Sequence, residues 1–371
     1  MRFLQKVERR SRWEISRCRL WLNDIFYTRW QDVLERRRLT PFHGAVQARN
    51  KIAVYAVFPK LGVQRSHLRA LQHLAECGYA PLVVSNLPLT PAQKEQLRPL
   101  SWCVIERANF GFDIGGYRAA ISWLGPRLQS LDRLVFTNDS IWFPFGEGRD
   151  WLHVAEGLAK APAAPALIGA VTNGTPRVDT DGWWQLDRAE PDFHYCSFAL
   201  SIGPAILRDP EFVLFWKRMR LTRRKVPMVE RGEVALSRWI IGRGHSHTAC
   251  WDPERLQQLL ATLEPQRLQE LIGMLIIPED AELRARRDAF LYSPEAFDPQ
   301  PARKFLTEVT MRTGVAYALP ALTLDQDGIG FLKKSPLRLD PAGADATLKL
   351  VGVDPHLLEE ARSIALLERR Y

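Results

Sequence analysis

An open, largely parallel α/β sheet is the fold this sequence predicts, and three observations predict it. Apolar runs of strand length at 52–58, 79–85, 102–106 and 133–137 alternate with helix-length segments. The run at 52–58 is nearly all apolar, as expected of a strand buried on both faces of a parallel sheet. Three strand–helix–strand crossovers follow one another without interruption, the signature of doubly covered parallel sheets. Beyond about Asp252 this rhythm stops and the chain turns helix-rich.

Taken in order, residues 1–38 read as a helix: Cys18, Leu22, Ile25, Phe26 and Val33 recur near helical spacing, and Trp13, Trp21 and Trp30 add bulk. This segment holds eleven Lys/Arg against five Asp/Glu, so +6 of the formal +9 charge lies in it. Aromatics with dense arginine suit a helix lying on an anionic membrane surface. The alternative is a helix docked on its own domain with its arginines solvated. Thr40-Pro41-Phe42-His43-Gly44 breaks the helix. After the first strand, Ser66 is expected to N-cap a helix running through Cys77, with Gly78 past its end. Strand 79–85, a short helix at 91–97, strand 102–106, a helix at 116–124 and strand 133–137 follow. Further strands are expected at 167–171 and 195–202, and a helix at 210–220 with Phe212, Phe215, Trp216 and Met219 on one face. Arg231-Gly232-Glu233 then opens a helix through Ile241. The chain thus divides into a basic amphipathic helix (1–44), an α/β domain (45–252) and a helix-rich C-terminal region (253–371).

Composition narrows the classes. With 46% hydrophobic and 25% charged residues the chain is ordinary for a globular protein. No apolar run approaches the ~20 residues that span a bilayer. Arg2, Lys6, Arg9 and Arg10 are not followed by an apolar core and small-residue cleavage site, so no signal peptide is expected. Five scattered cysteines without a CxxC pair indicate neither a disulfide framework nor a zinc site, and a reducing cytoplasm is the expected compartment. His245 and His247 form an H-x-H with no obvious third ligand. Because the body of the chain is near neutral, nucleic acid is not an expected partner.

The chemistry concentrates between Glu106 and Pro144. Asn109-Phe110-Gly111-Phe112-Asp113-Ile114-Gly115-Gly116-Tyr117 places glycines, which let backbone approach a phosphate or sugar, around a carboxylate. Asn138-Asp139-Ser140 puts a second carboxylate at the C-terminal end of a strand, where open α/β sheets hold their ligands. This layout suits a nucleotide-sugar site, with or without a divalent cation, and so a glycosyltransferase. Transfer from a nucleoside diphosphate needs the leaving charge neutralised, by a carboxylate-held Mg²⁺ or Mn²⁺ or by a cationic side chain. Inversion also needs a base at the acceptor hydroxyl. Asp139 and Glu233 can divide these tasks. Plainer readings stand beside these: Asp139 and Ser140 as turn formers, Asp113 as an N-cap, Glu233 complementing the dipole of a helix's first turn, His194 as a satisfied core residue. Trp183-Trp184 suits either a sugar-stacking platform or the core.

Several segments together carry a resemblance. Asn109-Phe-Gly111-Phe-Asp113, Asn138-Asp139-Ser140, His194-Tyr-Cys-Ser197-Phe198 followed by Phe215-Trp216, Gly232-Glu233-Val-Ala-Leu-Ser237 and Phe331-Leu-Lys333 occur in one order over roughly residues 50–340. In this the chain resembles the rhamnan synthesis protein F family of bacterial polysaccharide glycosyltransferases. More distantly it is similar to the large inverting family-2 glycosyltransferases.

The resemblance implies a GT-A-like domain over 45–252 and a nucleoside-diphosphate-sugar donor, with rhamnose a plausible sugar. It also implies work on a surface polysaccharide such as O-antigen, capsule or rhamnan; a lipid-linked glycan is the expected acceptor, and the composition of residues 1–38 makes them the expected peripheral anchor at the cytoplasmic side of the inner membrane. Asn86, Asn109, Gly111, Asp113, Gly115, Gly116, Tyr117, Asn138 and Ser140 would hold the donor, and His194, Ser197, Trp183 and Trp184 would face substrate or acceptor. In the family-2 comparison Asp139 falls at the metal and diphosphate position and Glu233 at that of the general base. One departure is plain: residues 138–140 carry a single carboxylate where the usual metal motif has two. Either Asp113 supplies the second ligand or the site binds metal weakly or not at all. The rival reading is a non-catalytic scaffold that keeps the fold within a glycan-assembly complex.

Overall fold

The structure, a computed structural model, describes residues 24–30, 33, 41–146, 148–278, 280–292, 297–325, 329–339 and 341–368. Its strands are β1 (Phe42–His43), β2 (Lys51–Val57), β3 (Ala80–Ser85), β4 (Cys103–Glu106), β5 (Arg133–Asn138), β6 (Ile141–Trp142), β7 (Leu167–Gly169), β8 (Thr172–Asn173), β9 (Pro176–Val178), β10 (Trp184–Leu186), β11 (His194–Tyr195), β12 (Ala199–Ile202), β13 (His247–Ala249) and β14 (Leu332–Lys333). Eight of them form one sheet in the order β1-β4-β3-β2-β5-β12-β7-β13. Strands β4, β3, β2 and β5 are parallel neighbours, joined through the helices Arg65–Glu76, Pro91–Leu97 and Phe112–Leu124. β12 runs antiparallel between β5 and β7, and β13 is parallel to β7. The open, largely parallel α/β sheet that the sequence predicts is present, with β12 as an antiparallel strand within it.

Alternation along the strands sends side chains to opposite faces, and both faces are covered. Ala53, Tyr55, Val83, Val104 and Val135 join one core, while Ile52, Val54, Leu82, Ile105, Leu134 and Phe136 join the other. The first core also contains Leu256, Leu271, Phe305, Leu306 and Phe331, so the helix-rich C-terminal region packs directly on the sheet. β14 pairs with β6, which fixes the segment around Lys333 beside the end of β5.

Several local expectations are corrected. Gln64, not Ser66, is the N-cap of the helix Arg65–Glu76; the Ser66 hydroxyl instead donates to Glu360 across 2.8 Å. Glu233 does not open a helix. Helix runs unbroken from Lys225 to Gly242, and Glu230–Val234 forms a π turn inside it. The strand expected over 195–202 is broken into β11 and β12 by residues 196–198. The helix proposed for 1–38 lies mostly outside the described residues. Residues 24–30 are helical, with the Asp24 carboxylate paired to Arg231 at 2.9 Å and the Thr28 hydroxyl accepting from the Leu221 N–H at 2.9 Å.

Candidate active site

The C-terminal ends of β2, β3, β4 and β5 deliver Phe58, Asn86, Arg107 and Asp139 to one edge of the sheet. The loop after β4 is shaped by two successive left-handed residues, Gly111 (φ 82°) and Phe112 (φ 55°). A Cβ on Gly111 would also stand 2.9 Å from the Leu221 side chain. A bulky non-glycine residue in this conformation is strained, and such strain clusters at functional sites. Asn86 holds the turn in place: its amide N donates to the Phe112 carbonyl at 3.3 Å, and its Oδ1 accepts from Arg107 at 2.7 Å. The same guanidinium donates to the Phe110 carbonyl at 2.8 Å. Gly115 allows this close packing, since a Cβ there would lie 2.2 Å from the Phe110 carbonyl oxygen.

The helix that starts at Phe112 carries Asp113 in its first turn, and a polar network forms around it. Its Oδ2 accepts from the Asn138 amide at 2.7 Å and the Ser197 hydroxyl at 3.1 Å. Asn138 in turn accepts, through Oδ1, from the backbone N–H and the hydroxyl of Ser140 at 3.0 and 2.6 Å. The buried Tyr117 hydroxyl donates to the Ser197 carbonyl at 3.1 Å, and its ring stacks on Phe136. The Ser197 N–H donates to Glu233 Oε2 at 3.0 Å, so one residue touches both carboxylates. The π turn carrying Glu233 is tied to β11 by Ser237, whose hydroxyl donates to the Glu233 carbonyl and accepts from the Tyr195 N–H, each at 2.9 Å. His194 Nδ1 lies 2.7 Å from the Asp192 carbonyl, so Nε2 is the acceptor nitrogen when Nδ1 carries the proton.

Electrostatics follow from this crowding. Burial pushes the Glu233 carboxyl above the usual carboxylate range, and Asp113 pushes it further. Asp113 is raised as well, by burial, against the hydrogen bond from Ser197. The counter-charge is Lys333, which the sequence presents only as part of the Phe331-Leu-Lys333 segment. Its ammonium donates to Ser140 Oγ at 2.9 Å and stands 3.5 Å from the Phe198 ring centroid. Burial lowers its pKa to about 8, while Cys196, Glu233 and Asp113 act in the opposite sense.

Asp139 is oriented differently from its neighbours. Its Oδ2 accepts from the Phe58 N–H at 2.6 Å and lies 3.8 Å from His67 Nε2. Burial lowers the His67 pKa to about 4, and Lys334 lowers it further, which keeps this imidazole neutral at pH 7. Among the described residues, potential metal ligands gather in His73–Asp150–His153 and in His194–Cys196–Glu233, within 4.8 Å of one another; neither group contains Asp139 or Asp113. Asp139 thus stands outside both groups and could offer a divalent ion one carboxylate.

Asp113, Tyr117, Asn138, Ser140, Ser197 and Glu233 are thus joined in one network, with His194 at its margin. Asn86, Gly111, Gly115 and Gly116 shape the turn and the helix contact with the sheet, Gly116 lying against Ala56 and Val84. Asn109 is exposed on the loop. Trp183 and Trp184 meet Lys304 and Arg312 of the helix Pro299–Thr313 instead of the carboxylates. His245 pairs with Asp209, and His247 with the Tyr195 hydroxyl. Arg107 and Lys333 escaped the sequence reading as site residues because their partners lie 21 and 193 positions away.

A Sinorhizobium fredii protein described as uncharacterized protein y4gN is 23% identical over 203 residues, 55% of this chain and 49% of that protein. The match spans about half the length of that relative. Among solved structures, the mannosyltransferase PcManGT from Pyrobaculum calidifontis, in complex with GDP-Man and Mn²⁺, aligns over 92% of this chain and 87% of its own. That alignment has 11% identity and a TM-score of 0.33. The mannosyltransferase Ktr4p from S. cerevisiae aligns over 52% of this chain and 69% of its own, at 10% identity and a TM-score of 0.26. The sequence pattern of rhamnan synthesis protein F matches residues 82–268, half of the chain and the stretch that carries Asp113, Asn138, Asp139, Ser197 and Glu233, and the chain belongs to that family.

Proposed function

We propose that the protein is an inverting glycosyltransferase that moves a sugar, rhamnose among the candidates, from a nucleoside diphosphate to a lipid-linked glycan in surface-polysaccharide synthesis. The observation that carries this reading is the pair of half-buried carboxylates joined through Ser197, with Glu233 raised above the usual carboxylate range by burial and by Asp113. Two interacting carboxyls whose environment shifts their titration are the usual basis of acid–base chemistry near pH 7. The donor lies over the C-terminal edge of β2–β5, its diphosphate at Asp139 and Ser140 and its sugar toward Asp113. Glu233 accepts the proton of the acceptor hydroxyl as that oxygen attacks the anomeric carbon from the face opposite the leaving diphosphate. Mg²⁺ or Mn²⁺, held by Asp139, would supply charge neutralisation when bound.

The test is calorimetric binding of dTDP, UDP, GDP and CMP, followed by transfer from the sugar nucleotide of the base that binds. Glu233→Gln keeps an acceptor for the Ser197 N–H but cannot take a proton, so nucleotide binding should persist while transfer falls by ~10²–10⁴-fold. Wild-type turnover in that variant would remove Glu233 as base. A second reading, a scaffold without turnover, is favoured by the single carboxylate of residues 138–140; nucleotide binding without transfer to any lipid-linked acceptor would support it.

We further propose that the N-terminal segment places the protein on the cytoplasmic face of an anionic membrane. In residues 24–30, Phe26 (65% exposed) and Trp30 (54%) face outward while Asp24 and Thr28 dock on the domain, which supports this reading. No helix among the described residues is long and apolar enough to cross a membrane. Removal of residues 1–38 should release the protein from anionic liposomes; unchanged sedimentation would rule the segment out as the anchor.

A further inference from the structure

We propose that Lys333, delivered by the C-terminal region, is the resident cation that binds the donor's diphosphate and meets the charge of the leaving group. This deepens the transferase reading and rests on it. Three observations place the residue there.

The first is position. β14 pairs with β6 so that Lys333 lies opposite Ile141, and the Lys334 N–H donates to the Ser140 carbonyl at 3.0 Å. The Lys333 ammonium then reaches Ser140 Oγ at 2.9 Å. In the sequence 138–140 the outer positions, where a paired-carboxylate metal motif would carry its acids, are a neutral amide and a hydroxyl. A fixed positive charge therefore stands beside one of those neutral positions.

The second is the charge balance. The ammonium shares its surroundings with the Asp113 and Glu233 carboxylates, the Cys196 thiol and, more distantly, Lys225. Phe198 and Tyr317 present ring faces to it, with centroids at 3.5 and 5.3 Å. Among the described residues no carboxylate lies within ion-pairing distance of the ammonium. Buried lysine is costly unless paired, and the neighbouring Lys334 shows the ordinary solution, an ion pair with Glu360 at 2.8 Å. Lys333 has a hydroxyl and two rings instead, which leaves its charge available to an incoming anion.

The third is the chemistry. As the acceptor oxygen bonds to the anomeric carbon, the bond from that carbon to the β-phosphate oxygen breaks and its electron pair stays on the diphosphate. The acceptor's proton goes to Glu233. The diphosphate gains one negative charge, and the ammonium, which keeps its protons, donates a hydrogen bond to it; such a preorganised donor acts on charge as it develops.

The test measures affinity for the nucleoside diphosphate that the wild type binds, in EDTA and in Mg²⁺, for wild type, Lys333→Met and Lys333→Arg. A charge-assisted hydrogen bond lost at the phosphate should weaken Lys333→Met by about tenfold or more in both conditions, with Lys333→Arg recovering most of it. Wild-type affinity should fall as pH rises through about 8, and the pH dependence should vanish in Lys333→Met. A loss smaller than tenfold in a folded Lys333→Met overturns the assignment and leaves the transferase reading intact. Absence of nucleotide binding by the wild type would remove both. Should Lys333→Met not fold, the wild-type titration decides: constant affinity between about pH 7.5 and 9.5 overturns the proposal.

Discussion

Replacing Lys334 by methionine strips the paired cation from a carboxylate buried between the sheet domain and the C-terminal helices. Glu360 Oε1 accepts from Lys334 at 2.8 Å, from the Ser66 hydroxyl at 2.8 Å and from Trp142 Nε1 at 3.1 Å. The Lys334 and Glu360 side chains are 6% and 3% exposed. With two neutral donors remaining, the charge is uncompensated, and breaking a buried pair from one side costs about 3–5 kcal/mol. Urea unfolding followed through tryptophan fluorescence reads the loss, with Trp142 itself beside the lesion. Removing both members in Lys334→Met/Glu360→Leu should return stability to within about 1–2 kcal/mol of wild type, since an apolar replacement of the whole pair is near neutral. The pH dependence gives an independent sign. In the wild type, burial acts to raise the Glu360 carboxyl, but Lys334 and Ser66 hold it below its ordinary value. That stabilisation is complete above the unfolded value of about 4.3 and disappears as pH falls through the folded pKa. His67, lowered to about 4, adds stability above its unfolded value of about 6.5 that is likewise lost on acidification. In Lys334→Met burial acts on Glu360 without its main opponent, leaving the Ser66 hydrogen bond and His67 against it, so the variant's deficit should shrink in acid. A single-variant loss below about 1 kcal/mol, or a deficit that grows in acid, would refute the reasoning.

Other outcomes follow from the same coordinates. Gly115→Ala should abolish soluble folded protein, because its Cβ would stand 2.2 Å from the Phe110 carbonyl oxygen; a normal melting curve would contradict it. Phe112→Gly should stabilise by up to about 1 kcal/mol, by relieving a left-handed residue at φ 55°, yet weaken nucleotide binding by loosening the loop; urea unfolding and calorimetry check the two halves. For His73, burial opposes protonation but Asp150, 2.7 Å away, outweighs it and raises the pKa to about 9. The pair therefore stabilises fully below the unfolded value of about 6.5 and weakens as pH rises through about 9, and Asp150→Asn should erase that slope in melting temperature.

The sheet was legible because its strands are nearly pure apolar runs punctuated by Gly78 and Asn138-Asp139-Ser140, and local pattern suffices for that. Asp113, Ser197 and Glu233 were legible as separate motifs, but their union through Ser197 joins residues 84 and 36 positions apart. Glu233 was misplaced to a helix start since Arg231-Gly232 looks like a break; in fact Gly232 lets the helix press on Ile114, whose side chain would lie 2.7 Å from a Cβ. The Trp183-Trp184 pair reads equally well as sugar platform or core, and the structure seats it against Lys304 and Arg312 on the helix Pro299–Thr313. Nothing in a local window could reveal that choice.

The pairing of β14 with β6 has a consequence for the order in which the protein comes into being. Synthesis runs from the N-terminus, so every strand of the main sheet, ending with β13 at Ala249, leaves the ribosome before Lys333 does. Until then Asp113 and Glu233 face one another without their cation. A nascent chain that has already assembled its sheet holds Asp113 and Glu233 together with no ammonium beside Ser140, and the arrival of a single short strand supplies it.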